Sequence, residues 1–139
     1  MTALSENRNT KEREARLRKY TVKDAEKMYA GGMAALNTST GEVEMASDSA
    51  NLTVVGCVEK YVDNTDDGEK VTVKNGCFLF NNSSGNPVTN ANVGTRCYVE
   101  DDNTVSSAQG DNAVVAGTVF EVTSDGVWVD IAPYLPPSS

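Results

Sequence analysis

Gly117-Thr118-Val119-Phe120-Glu121-Val122, Thr123-Ser124-Asp125-Gly126 and Val127-Trp128-Val129-Asp130-Ile131 read in turn as a strand, a turn and a returning strand. Valines recur at alternate positions on both sides of an Asp-Gly turn, the period of a half-buried strand. The chain carries an echo of this segment. Gly56-Cys57-Val58-Glu59-Lys60-Tyr61-Val62 is followed by Asp67-Gly68-Glu69-Lys70-Val71-Thr72-Val73. Both run Gly-x-Val, strand, Asp-Gly turn, x-Val-x-Val strand. Two like hairpins in one small domain suit a barrel built from similar parts, and a unit met only twice does not make a long solenoid.

The neighbouring segments follow the same habit. Met33-Ala34-Ala35-Leu36 runs into the turn cluster Asn37-Thr38-Ser39-Thr40-Gly41, and Glu42-Val43-Glu44-Met45 returns. Leu52 to Val62 reads as one strand. Thr95 to Val99 and Thr104 to Ser106 flank the tip Glu100-Asp101-Asp102-Asn103. Pro87 to Gly94 reads as a loop with room for one helical turn. Short strands separated by Gly/Asn/Asp turns predict an all-β domain, a small barrel or sandwich of short antiparallel strands. Asn75-Gly76 is either a two-residue hairpin turn or a bulge in one long strand. The apolar parity shifts from odd to even across Gly76, and the all-polar Asn81 to Asn86 is a poor start for a new element, so the bulge is favoured.

Charge divides the chain. Its 139 residues carry a formal net charge of −8. Residues 1–27 hold eight basic side chains against five acidic ones, +3, which leaves 4 − 15 = −11 for residues 28–139. Residues 5–19 are almost free of apolar side chains. Helix formers dominate from Lys11, with Glu12–Arg16 and Glu14–Arg18 as i,i+4 pairs, and the helical habit stops at Gly31-Gly32. Such a segment has no face to bury in its own domain. The expected organisation is a basic N-terminal arm over residues 1–20, extended or helical, a β-barrel or sandwich over 21–132, and a Pro-rich tail over 133–139. The arm's candidate partner-binding residues are Arg8, Lys11, Arg13, Arg16, Leu17, Arg18, Lys19 and Tyr20.

The absence of His removes the Ser-His-Asp triad, the His general base and the His metal ligand. No apolar run approaches the ~18 residues of a membrane span, and the N-terminus lacks the apolar centre of a signal peptide. Asp63, Asp66, Asp67, Glu100, Asp101, Asp102 and Asp125 sit among Asn, Thr and Gly, where turn chemistry accounts for them. The loop from Asp63 fails as an EF-hand, because Thr65 replaces an acid and Lys74 stands where the bidentate Glu belongs. Cys57, Cys77 and Cys97 form no CxxC pair and read as reduced, buried, small hydrophobic thiols. Core packing is the expectation for Trp128, with a barrel end or subunit interface as alternatives. The leader's +3 beside a −11 body argues against nucleic acid and for a protein surface with acidic patches, engaged by a segment that orders on binding.

Several stretches, taken in order, resemble a family of phage and prophage capsid cement, or head decoration, proteins. They are Ala30 to Asn37, Leu52 to Glu59, Val71 to Asn81, Val93 to Val105 and Ala116 to Val122. The resemblance covers about residues 20–131. It lies in the order of several short signals, and the leader departs from a family that begins close to its first strand. It implies a non-enzymatic virion protein on the outer capsid surface, made in the host cytoplasm and bracing the shell against internal DNA pressure. The implied partners are the major capsid protein and further copies of the same chain, a trimer favoured over a dimer, with no cofactor, metal, nucleic acid or membrane. The alternative is a small β-domain of a phage tail or surface adhesin that binds glycans.

Overall fold

The computed structural model describes residues 3, 5–7, 16–66 and 68–132. The arm residues Arg8, Lys11 and Arg13 and the tail 133–139 lie outside them. The fold is all-β, as the turn spacing predicts. Its strands are β1 Leu17–Thr21, β2 Lys27–Met28, β3 Met33–Asn37, β4 Val43–Met45, β5 Leu52–Val58, β6 Val62–Asp63 and β7 Lys70–Lys74. β8 Gly76–Asn82, β9 Arg96–Asp101, β10 Thr104–Ser106, β11 Val115–Thr123 and β12 Gly126–Ile131 follow, with one 3-10 turn at Asn90–Asn92.

Strands β1-β7-β5-β3-β4 form one sheet, and β10-β8-β12-β11-β9 close into a barrel. These are two copies of one motif. Read from β8, the barrel order is β8-β12-β11-β9-β10, so β1, β7, β5, β3 and β4 correspond to β8, β12, β11, β9 and β10. The register agrees pair by pair. Tyr20 opposes Val71 as Phe80 opposes Val127. Val58 opposes Val73 as Val119 opposes Val129, and Leu36 opposes Val43 as Val99 opposes Val105. A register shift beside Gly56 in the β3–β5 pair recurs beside Gly117 in the β9–β11 pair.

The closure is repeated too. An odd number of strands cannot close with every neighbour antiparallel, so one parallel pair is required. The barrel has it at β8–β10, with Thr104 opposite Asn81 and Val105 opposite Asn82. The first unit has a single parallel bridge at the equivalent place, Val22 to Val43. The echo between Gly56 and Gly117 is thus the visible part of a duplication that spans the described body.

Two cores follow from two units. Val22, Met28, Val43, Val55, Val58, Val71 and Val73 fill the first, with Tyr20, Leu36 and Met45 packed against it. Phe80, Val99, Val105, Val119, Val127 and Val129 fill the barrel, and Met33, Ala35, Leu52 and Val54 of the first unit join that same cluster. Strand β5 is therefore buried on both faces, which explains its near-continuous apolar run. Polar contacts add to the join. The Met33 N–H donates to the Asp102 carbonyl at 2.8 Å. The Asp48 carboxylate accepts the Asp111 and Asn112 N–H groups, each at 2.9 Å.

Three expectations are corrected. Asn75-Gly76 is neither a hairpin nor the favoured bulge in one long strand: β7 belongs to the first sheet and β8 to the barrel, so the chain runs on but changes sheets there. The helical habit expected up to Ala30 is absent from the described residues. Leu17–Thr21 and Lys27–Met28 are strands, because Tyr20 and Met28 find apolar cores that local helix propensity cannot offer. Leu17, Arg18, Lys19 and Tyr20, assigned to the arm, accordingly lie in the sheet as its edge strand.

Gly56 and Gly117 are equivalent in contact as well as in register. A Cβ on Gly56 would stand 2.5 Å from Val73 Cγ1 and 2.6 Å from the Lys74 carbonyl oxygen. On Gly117 it would stand 2.8 Å from Val129 Cγ1 and 2.5 Å from the Asp130 carbonyl oxygen. In each case a backbone atom must give way, which no rotamer change can relieve. Gly56→Ala and Gly117→Ala should each lower unfolding free energy in urea by about 1–3 kcal/mol. Wild-type stability in either variant would contradict the duplicated packing.

Candidate partner-binding surface

Five of the eight arm residues singled out from the sequence are described, and strand alternation sorts them. The Arg16 carbonyl accepts the Asn75 N–H at 2.7 Å, which pins the start of β1. Leu17 and Lys19 point outward and are exposed, while Tyr20 packs on the first core. Burial pushes the Tyr20 phenol above its ordinary pKa, and the nearby Arg18 charge opposes that. Arg18 is half-buried. Its guanidinium lies over the Tyr20 ring at 5.3 Å, and Nη2 donates to the Val55 carbonyl at 3.4 Å.

Leu17, Arg18 and Lys19 line an open groove of about 500 Å³, whose other wall is Thr72 of β7 and Glu59 just after β5. On β7, Lys70 and Lys74 alternate with the inward Val71 and Val73 and so share the outward phase with Thr72. The groove is an apolar and cationic surface on a rigid edge. It fits a partner that brings an apolar side chain with carboxylates around it. Sequence reasoning found Leu17, Arg18 and Lys19 but missed Glu59 and Thr72, which only the β1–β7–β5 pairing brings alongside.

The second unit carries a different outward face. Leu79 opposes Trp128, which opposes Glu121, and Phe120 sits in the register shift beside them. Phe120 is 65% exposed and Leu79 40%. Trp128 is half-buried on this outer face and is not part of the barrel core, contrary to the expectation of core packing. The inward phase of β12 belongs to Val127 and Val129. Cys77 is likewise corrected: it is exposed, because the parity shift at Gly76 gives the inward phase to Phe78 and Phe80. Partial burial raises the Cys77 thiol pKa, and the Asp130 and Glu121 charges raise it further. Cys57 and Cys97 are buried as expected.

A smaller cleft of about 330 Å³ lies between Tyr29, Ala30, Gly31, Gly32 and Met45 of the first unit and Asp102 and Asn103 of the second. The exposed Tyr29 and Tyr61 rings meet nearby, with centroids 5.5 Å apart. Desolvation raises the Asp102 carboxyl pKa, and Asp101 adds to it. Two of the turn carboxylates, Asp63 and Asp101, do the backbone work read for them. Asp63 accepts the Thr65 N–H at 3.0 Å and the Thr65 hydroxyl, which holds its pKa down, and Asp101 accepts the Asn103 N–H at 2.9 Å. Among the described residues no group of three Cys, Asp or Glu side chains is placed to hold a metal ion, and no helix is long and apolar enough to cross a membrane.

The chain matches no protein-family model, no curated protein and no solved structure.

The buried Cys97 gives a pH test of the barrel core. Burial pushes its thiol from the ordinary 9.0 up to about 12. The folded protein keeps this proton where the unfolded chain gives it up. Stability is therefore intact below pH 9 and falls as pH rises toward 12. Cys97→Ala should be less stable at neutral pH, through the space it leaves, but should lose less stability between pH 9 and pH 12. Parallel curves for the two proteins would contradict the burial of Cys97.

Proposed function

We propose that this chain is a non-enzymatic virion structural protein that binds the outer surface of a phage capsid and cements the shell. It acts as a homo-oligomer, a trimer rather than a dimer, with the major capsid protein as partner. The observation that carries this reading is the way the basic leader joins the body. Leu17–Thr21 is a strand of the sheet, so the basic residues before it start from a rigid edge beside a cationic, half-apolar groove. A leader held in this way can reach a neighbouring protein without losing its own anchor. The duplicated body with its two cores supplies the stiffness that bracing a shell demands. The net −11 of residues 28–139 keeps the body from adhering to packaged DNA.

One observation favours the glycan-binding alternative, namely the exposed Tyr29–Tyr61 pair beside the cleft that holds Asp102 and Asn103. Aromatic faces beside carboxylate and amide groups suit a sugar.

Co-sedimentation with expanded shells of the major capsid protein encoded with it tests both. The full chain should pellet with the shells. A variant lacking residues 1–15, which leaves β1 whole, should stay folded by circular dichroism and lose that association. Full occupancy by the truncated protein would overturn the role of the leader, and no association of the full chain would overturn the cement reading. Saturable binding of glycans that Tyr29→Ala abolishes, with no affinity for shells, would establish the alternative instead.

A further inference from the structure

The duplication allows the two outward faces to be compared position by position. Cys77 takes the place of Leu17, Leu79 that of Lys19, and Trp128 that of Thr72, since each pair holds the same register in its own sheet. Asp130 takes the place of Lys74 in the same way. Phe120 follows Val119 as Glu59 follows the equivalent Val58. Most inward positions are apolar in both units, Arg18 in the place of Phe78 and Asn82 in the place of Val22 being exceptions, but the outward ones diverged in opposite directions. One face became a groove with cations and the other an apolar patch with acids.

We propose that the Leu79–Phe120–Trp128 face of one copy of this chain docks into the Leu17–Lys19–Thr72 groove of a second copy. Three observations support that occupant. Phe120 and Leu79 are exposed on the strands to either side of Trp128, which gives this face the aromatic and aliphatic composition that marks interface cores. Its flanking charges are Glu121, directly across from Trp128, and Asp130, directly across from Cys77. The groove brings the opposite sign, with Lys19, Lys70 and Lys74 outward on β1 and β7 and Glu59 as the one acid among its described lining residues. Apolar groups meet in the middle and opposite charges at the rim. The groove has room for the phenyl ring of Phe120 and offers the Leu17 side chain and the Lys19 stem as its lining.

The two faces differ, so the contact is head-to-tail. Such contacts generate closed rings when the rotation closes, which a trimer does. The inference rests on the homo-oligomer of the proposed function and not on the capsid, so it stands or falls on the purified full chain alone.

The test places photoreactive benzoylphenylalanine at position 120 in the full chain. Isotopically light and heavy protein are mixed, irradiated and mapped by mass spectrometry. Mixed-isotope cross-links should join position 120 to residues 17–19 or 70–74. Cross-links to residues 118–130 of the second copy would show a like-with-like contact and overturn the proposal. So would a monomeric mass with no mixed-isotope cross-link. Independently, Phe120→Asp should keep the wild-type melting temperature, since the ring is exposed. It should weaken self-association in analytical ultracentrifugation by about tenfold or more. Unchanged association would overturn the proposal. Lys19→Glu should also weaken it, and adding Glu121→Lys should restore it. Failure of that restoration would overturn the charge pairing at the rim.

Discussion

A single buried side chain, Asn75, sits where the two units meet, and the geometry of both depends on it. It is the only residue between β7 and β8. Its N–H donates to the Arg16 carbonyl at 2.7 Å, and its Nδ2 donates to the Val55 carbonyl at 2.8 Å and the Ile131 carbonyl at 3.4 Å. One residue thus touches the chain just before β1, the bulged residue of β5 and the last residue of β12. Its Oδ1 has no partner among the described residues, and an unmade hydrogen bond of this kind costs about 1–3 kcal/mol. The bonds its amide makes to two strands of different sheets offset that cost and set how one unit is seated on the other. A one-residue connection leaves no slack, so the faces of the two units keep a fixed relation.

From that seating follows a division between inside and outside. Many inward positions of the two units hold the same kinds of residue, with Tyr20 and Phe80, Val58 and Val119, and Val73 and Val129 in matching places. These positions are constrained by packing, because each side chain belongs to, or packs against, a buried apolar core. The outward positions carry no such constraint, and there the units differ in charge and polarity. Strand β5, buried on both faces, spends its side chains on holding the units together. The outward phases of β1 and β7, and those of β8 and β12 with the exposed Phe120 of β11, are left free to differ.

Much of this was legible in the sequence. The hairpins β3–β4, β9–β10 and β11–β12 are announced by turn residues between alternating runs, and the Gly56/Gly117 echo marked two like parts. What escaped was the first strand of the first unit. In Leu17-Arg18-Lys19-Tyr20-Thr21-Val22 the inward phase holds Arg18, Tyr20 and Val22, and the alternation is hidden because a basic residue, Arg18, takes an inward place, half-buried with its guanidinium over the Tyr20 ring. Matching it against Cys77-Phe78-Leu79-Phe80-Asn81-Asn82 would have revealed a strand, but the two share no residue in register. Trp128 and Cys77 were misplaced for a related reason. A one-residue difference in phase moves a side chain from core to surface, and the sequence around Gly76 shifts that phase. Glu59 and Thr72 carry no local signal, since only long-range pairing brings them to the groove.

The functional account combines a stiff duplicated body, a leader anchored through β1 and two unlike outward faces. Its central claim is that this chain assembles with itself and with a shell. The most direct measurement is a three-dimensional reconstruction of expanded shells saturated with the full chain. The account predicts external density at symmetry-related positions, formed by a ring of three chains, with extra density leading from β1 to the capsid surface. Shells with bare outer surfaces, or carrying isolated single chains, would contradict it.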